Sequence, residues 1–304
     1  MTAPPLSIAF AGLGAMGWPM AARLVAAGYA VTGFDAQPGR ATEFAAATAA
    51  AAASSAADAA AGASVVVTML PTSRQVEDVI GAMRPVLVPG TLVVDMTSGQ
   101  PAVTRRLAEG LAAAGVILVD APVSGGVPRA KNGTLAIMAG GDAAALDRAE
   151  PVLLAMGTTI HRVGGVGAGQ AMKALNNLVS AGGFLIGIEA LLIGQRFGLD
   201  PAAMVDVLNA STGMTNSSQK KFKQFVLSRR FDAGFGLDLM VKDLSIALEI
   251  GRDTATPTPF AALCREMWAA AAAMLGPGQD HTALAQLSER LAGQELGTVK
   301  EGAG

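Results

Sequence analysis

The sequence predicts an α/β domain with a doubly wound parallel sheet, followed by an all-α domain, and three observations carry that prediction. Short, continuously apolar runs recur through the first half of the chain, the pattern of strands buried on both faces. Ala- and Leu-rich stretches of helical spacing separate them. After "GGVGAGQ" (164–170) no strand-like run follows, and the apolar residues fall into long helical stretches.

In chain order, the expected strands are "LSIAF" (6–10), "AVTGF" (30–34), "SVVVTML" (64–70), "TLVVD" (91–95), "VILVD" (116–120) and "TLAIMAG" (134–140). Helices are expected over 16–27, 73–83 and 101–114, with right-handed crossovers between parallel strands. The alanine-rich run 45–63 reads as helix on propensity alone. One long apolar helix should start near Gly169 and reach about Arg196. Others should follow Asp200–Pro201, where Asp200 is a good N-cap, and lie around Leu237 and over 257–274. The expected domains are therefore 1–163 and 164–295, with a frayed tail over 296–304.

Composition narrows the function classes. The chain has 304 residues, half of them apolar and 15% charged, which is enough for a real core and unlike a disordered protein. A net charge of −2 with scattered basic residues argues against nucleic acid or an anionic membrane as the main partner. A single cysteine and two histidines leave no basis for an internal disulfide or a metal site. The start "MTAPPLSIAF" lacks the pattern of a signal peptide. The stretch 178–194 is nearly long enough to span a bilayer, but Glu189 interrupts it and burial within protein is the expectation. The reading is a cytoplasmic protein.

The stretch "FAGLGAMGWPM" (10–20) places Gly12, Gly14 and Gly17 between the first strand and the first helix. In that position G-x-G-x-x-G is the fingerprint of a Rossmann-type dinucleotide cradle. The first glycine makes a tight turn, the second lets a pyrophosphate approach, and the third lets helix and strand pack closely. The second strand ends at Asp35, where a carboxylate can accept from both adenosine ribose hydroxyls and repel a 2′-phosphate. An ordinary turn residue is the alternative. No Asn-Arg pair follows Asp35, so NAD is expected in preference to NADP.

Three more segments, "MLPTSRQ" (69–75), "DMTSGQP" (95–101) and "DAPVSGG" (120–126), put polar residues at strand C-terminal ends, where open sheets bind ligands. Leu70 and Pro71 are candidates to line the nicotinamide ribose, and Thr97 and Ser98 to reach its carboxamide. Ser124 with the Gly125 and Gly126 N–H groups forms a donor cluster suited to a carboxylate. Simple strand-to-helix turns are the alternative for each. In "GQAMKALNNLV", Lys173 and Asn177 share one helix face, and Gly169 shares it too, leaving the approach to the lysine open. A lysine buried there would favour its neutral amine, as a base for a hydroxyl proton requires. A snorkelling lysine at a helix edge is the alternative. The histidines are assigned to structure: His161 ends an expected strand and His281 caps the last helical region.

Together "GLGAMGWPMA", "DAPVSGG", "GQAMKALNN" and the later "KDL" resemble the β-hydroxyacid dehydrogenases, a group that includes 3-hydroxyisobutyrate dehydrogenase and tartronate semialdehyde reductase and is related to 6-phosphogluconate dehydrogenase. The resemblance spans nearly the whole chain. It implies a cleft between the two domains as the active site, Lys173 as catalytic acid/base and Asn177 as its partner. It implies Ser124, Gly125 and Gly126 for substrate. The implied cofactor contacts are Gly12, Leu13, Gly14, Ala15, Met16 and Gly17, with Leu70, Pro71, Gln75, Ser98 and Lys242. Asparagine is frequent in the family where this chain has Gln75. The resemblance also implies a homodimer or homotetramer joined through the helical domain. A small hydroxy acid or its semialdehyde would be the substrate. The competing readings are a non-catalytic NAD-binding module and an imine reductase-like enzyme. Retention of both Lys173 and Ser124 speaks against them. The segment 211–219, with Met214 and Asn216, is expected to set side-chain selectivity.

Overall fold

The computed structural model describes residues 6–297. The chain packs as two compact units that divide between Lys173 and Ala174. The first unit alternates strands and helices: β1 (Ser7–Ala11), α1 (Gly17–Ala26), β2 (Ala30–Phe34), α2 (Arg40–Ala47), β3 (Ala51–Ala52), α3 (Ala56–Ala60), β4 (Val65–Thr68), α4 (Ser73–Met83), β5 (Leu92–Asp95), α5 (Pro101–Ala112) and β6 (Ile117–Asp120). Then come β7 (Val123–Ser124), α6 (Gly126–Asn132), β8 (Leu135–Gly140), α7 (Ala143–Leu154) and β9 (Gly157–Gly164).

The sheet order is β3-β2-β1-β4-β5-β6-β8-β7, with β9 paired to β8. Pairing is parallel from β3 through β6. Alternation along buried strands feeds two cores on opposite faces. Ile8 and Phe10 pack with Met20, Leu24 and Phe44 on one face. Ala9 and Ala11 pack with Ile80, Met83 and Leu111 on the other. Because β1 has β2 on one side and β4 on the other, the winding reverses at β1, and ligands of open α/β sheets bind at such points.

Three expectations need correction. The sheet is not wholly parallel: β8 runs antiparallel to β6 and β7, since the chain doubles back through β7 and α6. The run 45–63 is not one helix but α2, β3 and α3. Ser55 interrupts it, its hydroxyl accepting the Asp58 N–H at 3.0 Å as the cap of α3. The strand expected to end at His161 runs on to Gly164 as β9, largely exposed along its length.

A thirty-residue helix, α8 (Ala168–Phe197), crosses the division between the units. The domain boundary expected at 163–164 therefore lies short of the division, because the first turn of α8 is bonded to the sheet. The second unit continues with α9 (Pro201–Asn209), α10 (Asn216–Lys220), a π-helical turn (Phe222–Leu227), α11 (Leu237–Asp253), α12 (Pro259–Leu275), a 3-10 turn (His281–Leu284) and α13 (Ala285–Ala292). Asp200 caps α9, accepting the Ala203 N–H at 2.8 Å.

The core of this unit is aromatic. Phe184 meets Phe222 edge-on at 5.5 Å and Trp268 at 5.8 Å, and His281 stacks on Trp268 at 6.4 Å. Burial holds the His281 imidazole below its ordinary pKa, consistent with a structural role. The tail is anchored further than expected: buried Leu296 donates its N–H to Glu289 at 2.9 Å and Gly297 donates to Gln195 at 3.1 Å. The rest of that expected tail, 298–304, lies outside the described residues. Among the described residues α8 alone is long and apolar enough to cross a membrane, and half of its most apolar window is buried.

Candidate active site

The glycine loop opens at the end of β1. Gly12 has φ +98°, a left-handed conformation natural to glycine, and its N–H donates to Phe34 of β2 at 2.9 Å. A Cβ on Gly12 would fall 2.3 Å from the Met69 carbonyl oxygen beyond β4. A Cβ on Gly17 would fall 1.8 Å from the Gly12 carbonyl oxygen. Around Gly14 nothing lies within 4 Å of such an atom, and Gly14 and Ala15 are exposed at the start of α1. Two glycines thus close the loop on itself while the third leaves backbone N–H groups open. That is the shape a pyrophosphate needs at a helix N-terminus.

Asp35 is bound into this loop. Its Oδ2 accepts the Leu13 N–H at 2.6 Å and its Oδ1 accepts the Gln37 N–H at 2.8 Å. Arg40 donates to the Leu13 carbonyl at 3.0 Å while its guanidinium lies 4.4 Å from the Trp18 ring centroid. Leu13 is consequently held at both its N–H and its C=O. Met16 is half-buried against the core at the start of α1.

At the ends of β4 and β5, the Leu70 N–H donates to Thr97 Oγ1 at 3.0 Å. Thr97 is fully buried, which corrects its expected contact with a carboxamide: it braces the Leu70 segment from beneath. Pro71 and Gln75 are exposed, Leu70 and Ser98 half-buried. Gln75 is tied to the start of α4, its Oε1 accepting from the Thr72 hydroxyl at 3.0 Å. Ser124 ends β7, and Gly125 (φ +135°) and Gly126 (φ +66°) turn the chain into α6 with both residues exposed. A cavity of about 540 Å³ lies between Gly14 and Ala15 of the glycine loop and Val127 and Lys131 of α6.

The residues that sequence reading missed lie beneath these loops. "DMTSGQP" and "DAPVSGG" each begin with an aspartate, Asp95 and Asp120, and both are buried. Asp120 accepts the Gly167 N–H at 2.6 Å and the Gln170 N–H at 2.8 Å, which ties the start of α8 to the end of β6. Gln170 donates from Nε2 to Asp95 at 2.9 Å and accepts from the Thr104 hydroxyl at 2.6 Å. Asp95 also accepts from the Thr68 hydroxyl at 2.8 Å and the Thr97 N–H at 3.0 Å. Burial pushes the Asp120 carboxyl up to about 6 and raises Asp95, against the lowering effect of these hydrogen bonds. Gly169 has a purpose other than the one expected: a Cβ there would sit 2.2 Å from the Met138 carbonyl oxygen, so the glycine lets α8 meet the sheet.

Lys173 follows on the next turn of α8 with 8% of its surface exposed, and Asn177, one turn further, has 7%. In the second unit Asn177 donates from Nδ2 to Asp243 at 2.6 Å. Asp243, which the sequence offers beside Lys242 in a helical run with a surface pair as the alternative, is 1% exposed, and Lys242 Nζ lies 3.3 Å from its Oδ1. Met214 and Asn216 line a pocket of about 750 Å³ with Val179, Gly183, Ile186 and Phe260. Among the described residues no group of three or more His, Cys, Asp or Glu side chains is arranged to hold a metal.

Residues 7–165 match the model of the NAD binding domain of 6-phosphogluconate dehydrogenase. Residues 167–288 match that described as NAD-binding of NADP-dependent 3-hydroxyisobutyrate dehydrogenase. The chain is 36% identical to 2-(hydroxymethyl)glutarate dehydrogenase of Eubacterium barkeri, over 95% of this chain and 96% of that one. It is 39% identical to 3-hydroxyisobutyrate dehydrogenase of Pseudomonas aeruginosa, over 86% and 90%. Among solved structures, 3-hydroxyisobutyrate dehydrogenase of Mycobacterium tuberculosis with L-serine superposes with a TM-score of 0.86 at 35% identity, covering 93% of this chain and 98% of that one. By these matches, which span nearly the whole chain, it belongs to the β-hydroxyacid dehydrogenase family, NAD-binding oxidoreductases acting on the CH–OH group of small hydroxy acids.

Proposed function

We propose that this protein interconverts a short β-hydroxy acid and its semialdehyde with NAD, Lys173 serving as the acid/base. The carrying observation is a lysine 8% exposed, on the helix turn next to one hydrogen-bonded into the strand ends that face the cofactor cradle. Gly12, Leu13, Gly14, Ala15, Met16 and Gly17 would hold the pyrophosphate, Asp35 the adenosine ribose, and Leu70, Pro71, Gln75, Ser98 and Lys242 the nicotinamide half. When bound, NAD supplies the hydride acceptor and NADH the donor. Asp35, held at the end of β2 by the Leu13 N–H, would favour NAD over NADP, since its carboxylate would set like charge against a 2′-phosphate.

The substrate class follows from chemistry shared by relatives. 2-(Hydroxymethyl)glutarate, 3-hydroxyisobutyrate and L-serine each carry a hydroxymethyl group on the carbon that bears the carboxylate. Ser124 and the N–H groups of Gly125 and Gly126 would receive that carboxylate. The hydroxyl would then face Lys173 Nζ, which takes its proton during oxidation and returns it to the nascent alkoxide during reduction. Asn177, fixed by Asp243, would orient the hydroxyl or carboxylate. Exposed Val179, Ile186, Ile193 and Phe197 form one apolar stripe along α8, and a second copy of the chain would cover it in a homodimer or homotetramer. The same reading makes the enzyme cytoplasmic, with neither nucleic acid nor membrane as partner.

The test is NADH formation over a panel of hydroxymethyl carboxylates, NAD against NADP, with Lys173→Ala alongside. Turnover should fall by about 10²-fold or more in the variant while NADH still binds. Loss of NADH binding in Lys173→Ala would overturn the assignment of roles.

A further inference from the structure

Two carboxylates buried under one helix start are costly, and a helix of this length needs no such device to form. A single Ser or Asp just before Ala168 would cap α8. The chain instead has Gly167 there and takes the cap from Asp120, 47 residues away in sequence. The fit is close. A Cβ on Gly140 would fall 2.7 Å from Asp120 Oδ1, and one on Gly169 would fall 2.8 Å from Oδ2. Gln170, 1% exposed, completes the join by bridging Asp95 and Thr104 with its two amide atoms.

The far side of this network reaches the cofactor rim. Asp95 holds the Thr97 N–H, and Thr97 in turn holds the Leu70 N–H. One connected set of hydrogen bonds therefore runs from the segment proposed to line the nicotinamide to the helix turn preceding Lys173.

We propose that Asp120 and Gln170 are positioning residues, clamping the first turn of α8 to the ends of β5 and β6 so that Lys173 stays in register with the strand-end segments for proton transfer. The proposal rests on Lys173 being the acid/base. Neither residue need touch substrate or cofactor. A helix is stiff along its axis, so a fixed first turn fixes the lysine one turn later. An ångström of misplacement at a reacting group can cost about 10²-fold in rate.

The test uses the full chain with Asp120→Ala, Asp120→Asn and Thr104→Val, read by amide hydrogen exchange over 167–173 and by steady-state kinetics. Asp120→Ala should speed exchange of those amides about tenfold or more by local opening. It should lower kcat by about tenfold to 10²-fold while the NADH Kd stays within about twofold. Asp120→Asn keeps one acceptor oxygen and should restore part of both. Thr104→Val, which removes the hydroxyl that grips Gln170 at 2.6 Å and also reaches the Gln100 carbonyl at 3.4 Å, should give the same pattern at about two- to fivefold, and keeps the test open if Asp120→Ala does not fold. Wild-type exchange in these variants would overturn the clamp. Faster exchange with unchanged kcat would overturn positioning and leave a purely structural cap. Absence of turnover in the wild-type chain over the whole panel would sink the proposed reaction, and the exchange data alone would then decide the clamp.

Discussion

Alanine at Gly14 and alanine at Gly17, three residues apart, should separate cofactor approach from folding. At Gly17 the added Cβ would stand 1.8 Å from the Gly12 carbonyl oxygen and 3.2 Å from the Phe10 ring, where ordinary contact begins near 3.4 Å. The clashing partner is backbone, so no side-chain rotation relieves it. Overpacking of this kind costs roughly 3 kcal/mol, which for a unit of this size lowers Tm by about 6–12 °C. At Gly14 nothing lies within 4 Å of the added atom and φ is not left-handed. Alanine there should be neutral, or stabilising by up to about 1 kcal/mol through the unfolded chain. The methyl would nevertheless occupy the approach to the α1 N–H groups, weakening NADH by about tenfold or more, or ~1.4 kcal/mol. Thermal unfolding and a fluorescence titration with NADH read the two effects separately. Wild-type NADH affinity in Gly14→Ala would refute the assignment of the second glycine to phosphate approach.

Asp35→Ser should narrow the preference for NAD over NADP by about tenfold in kcat/KM, since one like charge facing the 2′-phosphate is removed; an unchanged ratio would place selectivity elsewhere. Asp120 titrates near 6 in the folded chain against 3.8 ordinarily. A raised carboxyl contributes stability that is fully present below pH 3.8 and lost as pH rises through 6. Denaturant melts should therefore show wild type losing up to about 3 kcal/mol relative to Asp120→Asn between pH 4 and 7, and parallel curves would contradict the shift. Phe184→Ala removes a fully buried ring from between Phe222 and Trp268 and should destabilise the helical unit by about 3–5 kcal/mol, visible in denaturant unfolding; a loss under 1 kcal/mol would mean that the aromatic cluster repacks.

Much of this site is written in short windows of sequence. Gly12, Gly14 and Gly17 are legible because turn, approach and packing demands fall on six consecutive residues after an apolar strand. The strand ends at Leu70, Ser98 and Ser124, and the helix carrying Lys173 and Asn177, follow from periodicity in the same way. Local pattern failed where pairing decides the outcome. β9 runs past the strand end expected at His161 to Gly164 by pairing with β8, and the alanine run breaks because Ser55 caps a new helix. Thr97 reads from sequence as a cofactor contact, yet it is fully buried with its hydroxyl accepting the Leu70 N–H.

Sequence alone determined the strand–helix alternation, the change to all-helical structure after residue 164, the dinucleotide fingerprint and the placing of a lysine on an apolar helix. Tertiary structure alone decided what surrounds that lysine's helix. Asp120 meets Gln170 across 50 residues, Gln170 meets Asp95 across 75, and Asn177 meets Asp243 across 66. Periodicity reports which face of an element is buried, within one element at a time. Which polar group answers which inside the core depends on strand order and on how closely a glycine lets a helix approach, and those are set only when the whole chain packs.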